Sequence, residues 1–461
     1  MELDPLFISR VQFAFVVSFH AIFPVFTIGL ASYIAVLEAV YYKTDDPSWL
    51  KLSKFWTKIF AIVFGMGVVS GIVMAFQFGT NWSNFSYAAS NFLGPILAYE
   101  VVTAFFLEAT FLGVLLFGRE KVPRGLHLFA ACMVAIGTFI SSFWILSANS
   151  WMQTPAGVEM VDGMIHMTSW TQAIFNSSFP YRFFHVALAS FITGGFVVAG
   201  VSAWYLLHGR HGDIAEKALK MCVIMLVIAT PLQLLSGDMH GLNTLEEQPV
   251  KVAAMEGNWE TQGNVPLLLF AIPDMANETN HLEIGIPNGA SLILKHSADG
   301  VVPGLKSVPP EERPPVGVTF WSFRIMVAIG TLMILVSVLG AWKLFRGTLY
   351  QSAGLLRVLS LMIPLPFIAV VAGWFVTEVG RQPWIIYGMM TVGEGLTPSL
   401  SGWMALVTLI GYIAVYTVVF AAGLHYLRKV IAAGPDPVEH AHAQITGTPK
   451  RPWSAVEGEF E

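Results

Sequence analysis

Long uncharged stretches recur along the chain at a length typical of helices that cross a membrane. Nine runs carry almost no charged side chain: 11–42, 59–78, 96–117, 126–147, 183–207, 218–235, 318–344, 358–376 and 403–426. A helix needs about 20 apolar residues to cross about 30 Å of hydrocarbon, whereas the strands of a membrane barrel give short alternating segments. The pattern predicts an all-α integral membrane protein, a polytopic bundle of about nine transmembrane helices.

Composition supports the same class of protein. Hydrophobic residues make up 55% of the 461-residue chain and charged residues only 12%, which excludes an ordinary soluble globule. The two cysteines, Cys132 and Cys222, both fall inside apolar runs and are expected to be free core thiols. Because the first run follows neither a basic region nor a small-residue cleavage site, we expect a retained helix rather than a signal peptide.

The placement of basic residues predicts how the helices run through the membrane. Of the 25 Lys and Arg residues, 17 lie in the loops after the first, third, fifth and seventh runs or in the C-terminal tail. Cytoplasmic loops carry an excess of these residues. We therefore expect the N-terminus outside the cell and the C-terminus in the cytoplasm.

The runs divide the chain into four parts. Residues 1–236 hold helices 1–6, residues 237–317 form one long extracytoplasmic connection, residues 318–430 hold helices 7–9, and residues 431–461 form a cytoplasmic tail. An irregular loop of this length in a compact protein is usually functional or disordered. A functional loop is favoured because residues 245–261 have a composition compatible with a helix.

Two acids lie inside the third run. Glu100 and Glu108 are eight residues apart, which corresponds to about 12 Å along a helix. A charged side chain at the helix centre costs about 2.5 to 3.5 kcal/mol on insertion scales, so each acid needs a partner or a task. We interpret the two acids as successive carriers in a proton-transfer path. The alternative is that each is a neutral carboxyl group hydrogen-bonded to a neighbouring helix.

Two histidines and one methionine are candidate haem ligands. His20 and His185 lie in apolar settings, and Met326 follows Arg324 by two residues at the start of the seventh run. A haem that only carries electrons takes His and Met as its two axial ligands, and a propionate would satisfy the arginine. Hydrogen-bonded core histidines and a packing methionine are the alternative interpretation.

The stretch 373–384, GWFVTEVGRQPW, ends the eighth run with an acid and an arginine. Glu378 lies at the membrane edge, Arg381 follows one helical turn later, and Trp374 is a candidate cofactor contact. With the predicted orientation, this acid lies at the same outer depth as the candidate haem ligands. Ligands gathered at one depth below a large loop fit a row of redox cofactors better than a transport path across the bilayer.

Six strings in the chain resemble those of subunit I of the cytochrome bd quinol oxidase family. They are QFGTNWS (77–83), the third run with Glu100 and Glu108, WILSANSWMQ (144–153), KVAAMEGNWETQ (251–262), FRIMVA (323–328) and GWFVTEVGRQPW (373–384). The resemblance extends from about residue 5 to about residue 430. The connection of about 80 residues resembles the short quinol-loop type of the family.

The resemblance implies a set of haem ligands. His185 and Met326 would bind the low-spin b haem through iron. His20 and Glu378 would be axial iron ligands at two high-spin haems, with Glu100 beside or on one of them. Which of these residues holds which haem stays open.

The resemblance also implies roles for other polar residues. Lys251 and Glu256 match quinol-loop positions associated with quinol oxidation, and Glu108 matches a proton-path acid. Arg324 and Arg381 would offset propionate or carboxylate charge.

The function implied is that of a quinol:oxygen oxidoreductase in the bacterial cytoplasmic (inner) membrane. It would oxidise quinol at the outer face, reduce O2 to water with protons from inside, and so be electrogenic without pumping. Its cofactors would be two b-type haems, one low-spin and one high-spin, and a haem d. Its partners would be subunit II, in a heterodimer, and small single-helix accessory subunits, with no nucleic acid.

Three alternatives stay open at the level of sequence. A cyanide-insensitive relative would carry a further b haem in place of haem d, because both macrocycles accept the same ligands. A b-haem protein that only passes electrons to another protein would use the low-spin site alone. A proton-coupled transporter would also need intramembrane acids, but the chain has no inverted repeat.

Overall fold

The computed structural model describes residues 3–435 and consists mainly of helices. In chain order the helices are α1 (Pro5–Thr44), α2 (Pro47–Thr80), α3 (Ser83–Ala88), α4 (Ser90–Glu100), α5 (Phe106–Phe117), α6 (Arg124–Gln153), α7 (Trp170–Ile174), α8 (Phe179–Leu207), α9 (Gly212–Glu247), α10 (Pro249–Glu256), α11 (Gly289–Lys295), α12 (Val316–Phe345), α13 (Ala353–Leu361), α14 (Leu365–Val379), α15 (Val392–Gly395) and α16 (Gly402–Ala433). Three antiparallel hairpins complete the fold: β1 (Val158–Val161) with β2 (Met164–Met167), β3 (Leu267–Asp274) with β4 (Thr279–Ile286), and β5 (Trp384–Ile386) with β6 (Met390–Thr391).

The prediction of nine membrane-spanning helices is confirmed for the described part of the chain. Nine helical stretches are long and apolar enough to cross a membrane: α1, α2, α4 with α5, α6, α8, α9, α12, α13 with α14, and α16. The predicted tail, 431–461, is described only to residue 435, so residues 436–461 lie outside the described residues.

Local sequence signals explain how the first two helices are joined. Asp4 caps α1 by accepting a hydrogen bond of 2.9 Å from the Leu6 amide, and Asp46 caps α2 in the same way at the Ser48 amide. A proline occupies the first turn of each helix, where the missing amide hydrogen costs nothing. The two capped helices therefore form a hairpin with a connection of only two residues.

Helix α1 is the centre of the bundle. It packs against α2, α6, α8, α14 and α16. A Cβ placed on Gly29 would lie 2.1 Å from the Ser190 carbonyl oxygen, so the backbones of α1 and α8 are in direct contact. This contact holds together the two helices that carry His20 and His185.

Helix α9 is longer than the predicted sixth run. The run was expected to end at residue 235, but the helix continues to Glu247 because Asp238, His240 and the polar residues after them are compatible with helical backbone. The long connection therefore begins at residue 248 in the structure rather than at 237. The side of the membrane on which residues 248–315 lie is called the loop side below.

The connection is ordered and contains regular elements. The helix expected within 245–261 is present as α10, which ends where Gly257 adopts a left-handed φ of 68°. The β3–β4 hairpin and α11 follow. Residues 248–315 thus form a folded layer over one end of the bundle.

Two spans are interrupted by irregular turns. The third span contains a π-helical turn, Val101–Phe105, between α4 and α5. The eighth span breaks between α13 and α14 at Met362, Ile363 and Pro364. The second break follows from proline, which cannot donate a backbone hydrogen bond inside a helix.

Candidate functional site

His20 is held by a serine on the neighbouring helix. Its Nδ1 lies 2.9 Å from Ser70 Oγ, and the Ser70 hydroxyl donates to the Gly67 carbonyl oxygen at 2.9 Å. Because the hydroxyl hydrogen is used at that carbonyl, the oxygen accepts a hydrogen bond from His20 Nδ1. The arrangement fixes the tautomer and leaves Nε2 with a free lone pair, as in histidines that bind metals.

A glycine faces each of the three uncharged ligand candidates. A Cβ on Gly71 would lie 3.0 Å from His20 Cε1, and a Cβ on Gly237 would lie 3.4 Å from His185 Cε1. A Cβ on Gly373 would lie 3.1 Å from Met326 Sδ. Small residues therefore allow the neighbouring helices to approach these side chains closely.

His185 lies between α8 and α9. Its Nε2 is 3.1 Å from Gln233 Nε2, and its ring lies 5.6 Å from that of His240, centroid to centroid. Among residues 3–435, no hydrogen-bond partner reaches its buried Nδ1. A buried imidazole nitrogen without a partner fits a site for a group supplied from outside the chain.

Met326 lies on α12, which packs against both α9 and α14. Helix α8, which carries His185, also packs against α9. The structure therefore places the two predicted low-spin ligands on helices that both pack against one common helix.

Glu378 is the centre of a polar network at the loop end of α14. Its Oε1 accepts from Asn149 Nδ2 at 2.8 Å and from Gln153 Nε2 at 3.3 Å, and its Oε2 accepts from Arg381 at 2.5 Å. Trp374 precedes it by four residues and so lies on the same side of α14. Arg381 thus forms an ion pair with the Glu378 carboxylate, and its role at a haem stays a prediction.

Lys251 connects α10 to the same network. Its Nζ donates to Gln153 Oε1 at 2.6 Å and to the Thr377 carbonyl oxygen at 3.1 Å. Burial, followed by the nearby charges of Arg182 and Arg381, lowers the pKa of Lys251 well below its usual value, although Glu378 opposes the shift. The quinol-loop lysine and the predicted iron ligand thus belong to one hydrogen-bonded group.

The network carries more positive than negative charge. Arg182 and Arg381 are each 5% exposed or less, and both interact with the single carboxylate of Glu378, whereas the lowered pKa of Lys251 favours its neutral amine. Buried charges are costly unless they are paired. The excess of cations therefore fits a site that receives anionic groups.

The donor set agrees with haem binding. Arg182 Nε, Arg324 Nε and Arg381 NH1 are buried, and within the described chain no hydrogen-bond partner reaches them. Haem propionates are anions that such guanidinium groups bind, and imidazole and thioether groups are ligands for haem iron. The residues present therefore fit the cofactor that the sequence predicts.

Glu256 and Lys251 face different neighbours although both lie on α10. Glu256 accepts a hydrogen bond of 2.7 Å from Arg324 at the start of α12, and its side chain is 6% exposed. Arg324 was expected to balance a haem propionate, and in the structure its NH2 is bound to this carboxylate. Its Nε stays free for a second anion.

A small, solvent-open pocket of about 40 Å³ adjoins Lys251. Arg381, Gln382, Trp384 and Tyr387 form part of its wall. Cationic and aromatic side chains thus both line this pocket.

The π-turn changes the relation between Glu100 and Glu108. Eight residues of α-helix would place two side chains about 80° apart around the axis, whereas one additional residue in the turn reduces the offset to about 20°. Both acids then face α6, where Ser141 donates to Glu100 Oε1 at 2.7 Å. A Cβ on Gly137, one turn away, would lie 2.6 Å from Glu108 Cγ.

Sequence reasoning assigned no role to several side chains at the site. They are Asn149 and Gln153 beside Glu378, Arg182 near Glu378 and Arg381, and Gln233 and His240 beside His185. Arg182 carried a usable signal, since it is a cation three residues before a candidate ligand and next to an apolar run. Asn149 and Gln153 lie in the string 144–153 that carries the resemblance, but that string does not show which side chain they contact.

Comparisons with known proteins agree with these observations. Residues 8–435 match a profile described as cytochrome bd terminal oxidase subunit I. The chain is 36% identical to cytochrome bd ubiquinol oxidase subunit 1 of Bacillus subtilis (strain 168), over 97% of this chain and 98% of that protein. It is 32% identical to cytochrome bd-II ubiquinol oxidase subunit 1 of Escherichia coli (strain K12), over 95% of this chain and 98% of that protein.

A solved structure is also similar. The bd oxidase from Geobacillus thermodenitrificans matches with a TM-score of 0.87 and 31% sequence identity. The match covers 94% of this chain and 99% of that one. The similarity therefore extends over the whole bundle and not only the site.

Proposed function

This chain belongs to the cytochrome bd terminal oxidase subunit I family, and we propose that it oxidises quinol on the loop side and reduces O2 to water. Membership identifies it as the subunit of a terminal quinol oxidase that works with subunit II, and as a multi-pass protein of the bacterial inner membrane. Haem and quinol are the cofactor and substrate of the family. The observation that carries the residue-level proposal is the hydrogen-bonded connection from Lys251 through Gln153 to Glu378.

Quinol oxidation releases two protons and two electrons, and α10 offers groups for both hydroxyl oxygens. The Glu256 carboxylate accepts a proton from one hydroxyl, because Arg324 keeps the carboxylate oriented at 2.7 Å. Lys251 binds the other oxygen from the wall of the adjoining pocket. The released protons leave on the loop side, where this layer of the protein meets water.

The haems, when bound, carry electrons from quinol to O2. His185 and Met326 would hold the low-spin b haem. His20 and Glu378 would hold the two high-spin haems, with Glu100 beside or on one of them. The set comprises two b haems and a haem d, with a further b haem as the alternative to haem d.

Arg182, Arg324 and Arg381 would hold the propionates through guanidinium nitrogens that have no hydrogen-bond partner among residues 3–435. Their charge lies at the loop end of the bundle, close to Glu378. An anionic cofactor and a cationic pocket stabilise each other there more than in water, because the local dielectric is low.

Protons for water formation come from the side opposite the loop. Glu108 lies deeper than Glu100 from the loop side, and the π-turn aligns both acids along α6. Each can hold a proton and release it to the next. With the loop side outside the cell, turnover moves positive charge outward without a pump, and each elementary charge is worth about 2.3 kcal/mol per 100 mV.

Oxygen consumption by the purified two-subunit complex with quinol as the electron donor tests the proposal. Glu378→Gln and His20→Ala should each abolish consumption, because a ligand of a high-spin haem is lost, while the absorption bands of the low-spin haem persist. If the wild-type complex is reduced by quinol but consumes no O2, the protein is an electron carrier. A complex without a Soret band would point to transport instead.

A further inference from the structure

The β3–β4 hairpin exposes an unusually apolar face. Six large hydrophobic side chains on it, the apolar hairpin patch, are each between 37% and 72% exposed: Leu269, Phe270, Ile272, Leu282, Ile284 and Ile286. Soluble proteins rarely expose so many apolar side chains together unless the surface binds something. The patch therefore needs an occupant.

The opposite face of the hairpin is anchored to the protein. Leu268 and Ala271 are buried against Phe320 of α12. Asn280 donates to the Gly257 carbonyl oxygen at 2.9 Å and accepts from Trp259 Nε1 at 3.0 Å. The orientation of the hairpin is thus fixed, and the apolar face points away from these contacts.

The strand register separates the two faces. Phe270 pairs with Ile284, and Leu267 pairs with Ile286, so these four side chains share one face. Leu268 pairs with Gly285 on the other, where the side chain of Glu283 is held by Asn280 at 2.8 Å. Bulges between the paired positions accommodate the remaining apolar side chains.

The patch continues an exposed apolar stripe of α12. Exposed apolar residues follow one stripe of that helix, seven, seven, three, four and three residues apart: Val318, Ile325, Leu332, Leu335, Leu339 and Trp342. Trp321 lies in the first turns of the same stripe, and its ring meets that of Phe270 edge-on with centroids 5.1 Å apart. The apolar hairpin patch is therefore continuous with the exposed apolar stripe of α12, at the loop end of a helix long and apolar enough to span the membrane.

Neighbouring side chains fit the same environment. Tryptophan is enriched at the interface between membrane and water, and Trp321 would lie at that interface here. Helix α11, directly after β4, exposes Leu292 and Ile293. Most ionisable groups of the hairpin gather at its turn end, where His281 contacts Asp274 and Glu278 forms ion pairs with Lys306 and Arg313.

We propose that the apolar hairpin patch is immersed in the acyl-chain region of the loop-side leaflet and anchors the loop layer to the lipid. Transfer of apolar surface from water to hydrocarbon is favourable, so six large side chains provide a substantial driving force. Because Asn280 connects the hairpin to α10, the hairpin then fixes the position of α10 along the membrane normal. This interaction requires no contact with haem or quinol and can be tested apart from them.

Spin labels on single cysteines test the immersion. The complex with subunit II is prepared with Cys132→Ala and Cys222→Ala, and a nitroxide is attached at Ile284→Cys or, as a matched control on the other face, at Glu283→Cys. Collision rates are measured in phosphatidylcholine–phosphatidylglycerol liposomes with O2, which concentrates in lipid, and with a nickel chelate, which stays in water. Ile286→Cys carries the same test if the first variant does not assemble.

The label at 284 should show an O2-to-nickel collision ratio several-fold above that of the label at 283. Equal ratios at both positions, with frequent nickel collisions, would mean that the patch faces water. Low collision rates with both reagents at 284 would mean that another protein chain covers it. Either of the last two results overturns the proposal.

Discussion

Single residues in this protein gain their chemical roles from neighbours that are distant in the sequence. Glu378 ends an apolar helix, yet its carboxylate is held by Asn149 and Gln153 of α6 and by Arg381. Glu378 and Arg381 could be predicted as functional from the sequence, because a charged side chain next to an apolar run has a high free-energy cost of membrane insertion. Their amide partners could not, because a hydrogen bond between helices depends on how the helices pack.

Met326 provides a direct test of the low-spin site. Met326→Leu keeps the volume of the side chain but removes the thioether, so the low-spin haem should be lost or converted to high spin. The reduced-minus-oxidised absorption spectrum of the complex measures this change. Met333→Leu, a buried methionine on the same helix, is the matched control and should leave the spectrum unaltered; an unaltered spectrum in Met326→Leu would remove this residue from the site.

Glu256 tests the role of the loop carboxylate in proton transfer. Glu256→Ala removes the group that faces Arg324 and should lower quinol turnover by about 10²-fold, the lower range for loss of a general base. All haem bands should persist, since no ligand is altered. Steady-state oxygen consumption with quinol measures the effect, and Glu260→Ala, which removes an exposed carboxylate 58% accessible to solvent, is the control. Loss of every haem in Glu256→Ala would instead identify a structural role.

At the scale of elements, hydropathy located the spans and their number but not their irregularities. Helix α9 extends to Glu247 beyond its apolar run because polar residues near the membrane surface remain helical when they pack against a folded loop. Pro364 indicates the break before α14 in the sequence. The π-turn between Glu100 and Glu108 contains neither proline nor glycine, so the sequence gives no signal for it. Backbone register of this kind follows from packing between helices, which the residue pattern alone does not specify.

The packing of α5 on α6 can be tested at one glycine. A Cβ on Gly137 would lie 2.6 Å from Glu108 Cγ, so Gly137→Ala should displace the carboxyl group and slow proton uptake. Gly113→Ala on α5 is the matched control, since nothing lies within 4 Å of its added methyl group. Proton uptake after a single turnover, followed with a pH indicator, measures the effect. Equal rates in the two variants, with haem spectra intact, would contradict the proposed path.

In the whole molecule, Arg182, Arg381, the pocket beside Lys251 and the ligand candidates lie toward the loop end, and Glu108 lies deeper in the bundle. This arrangement explains how an oxidase could generate a membrane potential without pumping protons, because electrons from the loop side meet protons taken up from the opposite side. Because α1 packs against most of the other spans, it also connects the two ends of this arrangement.

Charge separation tests that polarity. Glu108→Leu removes the deeper carboxyl group and should abolish the membrane potential formed by the complex in proteoliposomes, because protons from the opposite side no longer reach the site. A potential-sensitive dye measures the effect during quinol-driven turnover. Wild-type charge separation in the variant would refute the proton-path role of Glu108.

The reduced-minus-oxidised visible spectrum of the purified two-subunit complex, with quinol as the reductant, tests the central claim most directly. The account predicts a Soret band together with bands of one low-spin b haem and of high-spin haem, all of which disappear when O2 is admitted. A complex that shows no haem bands, or whose bands stay reduced in air, would contradict it.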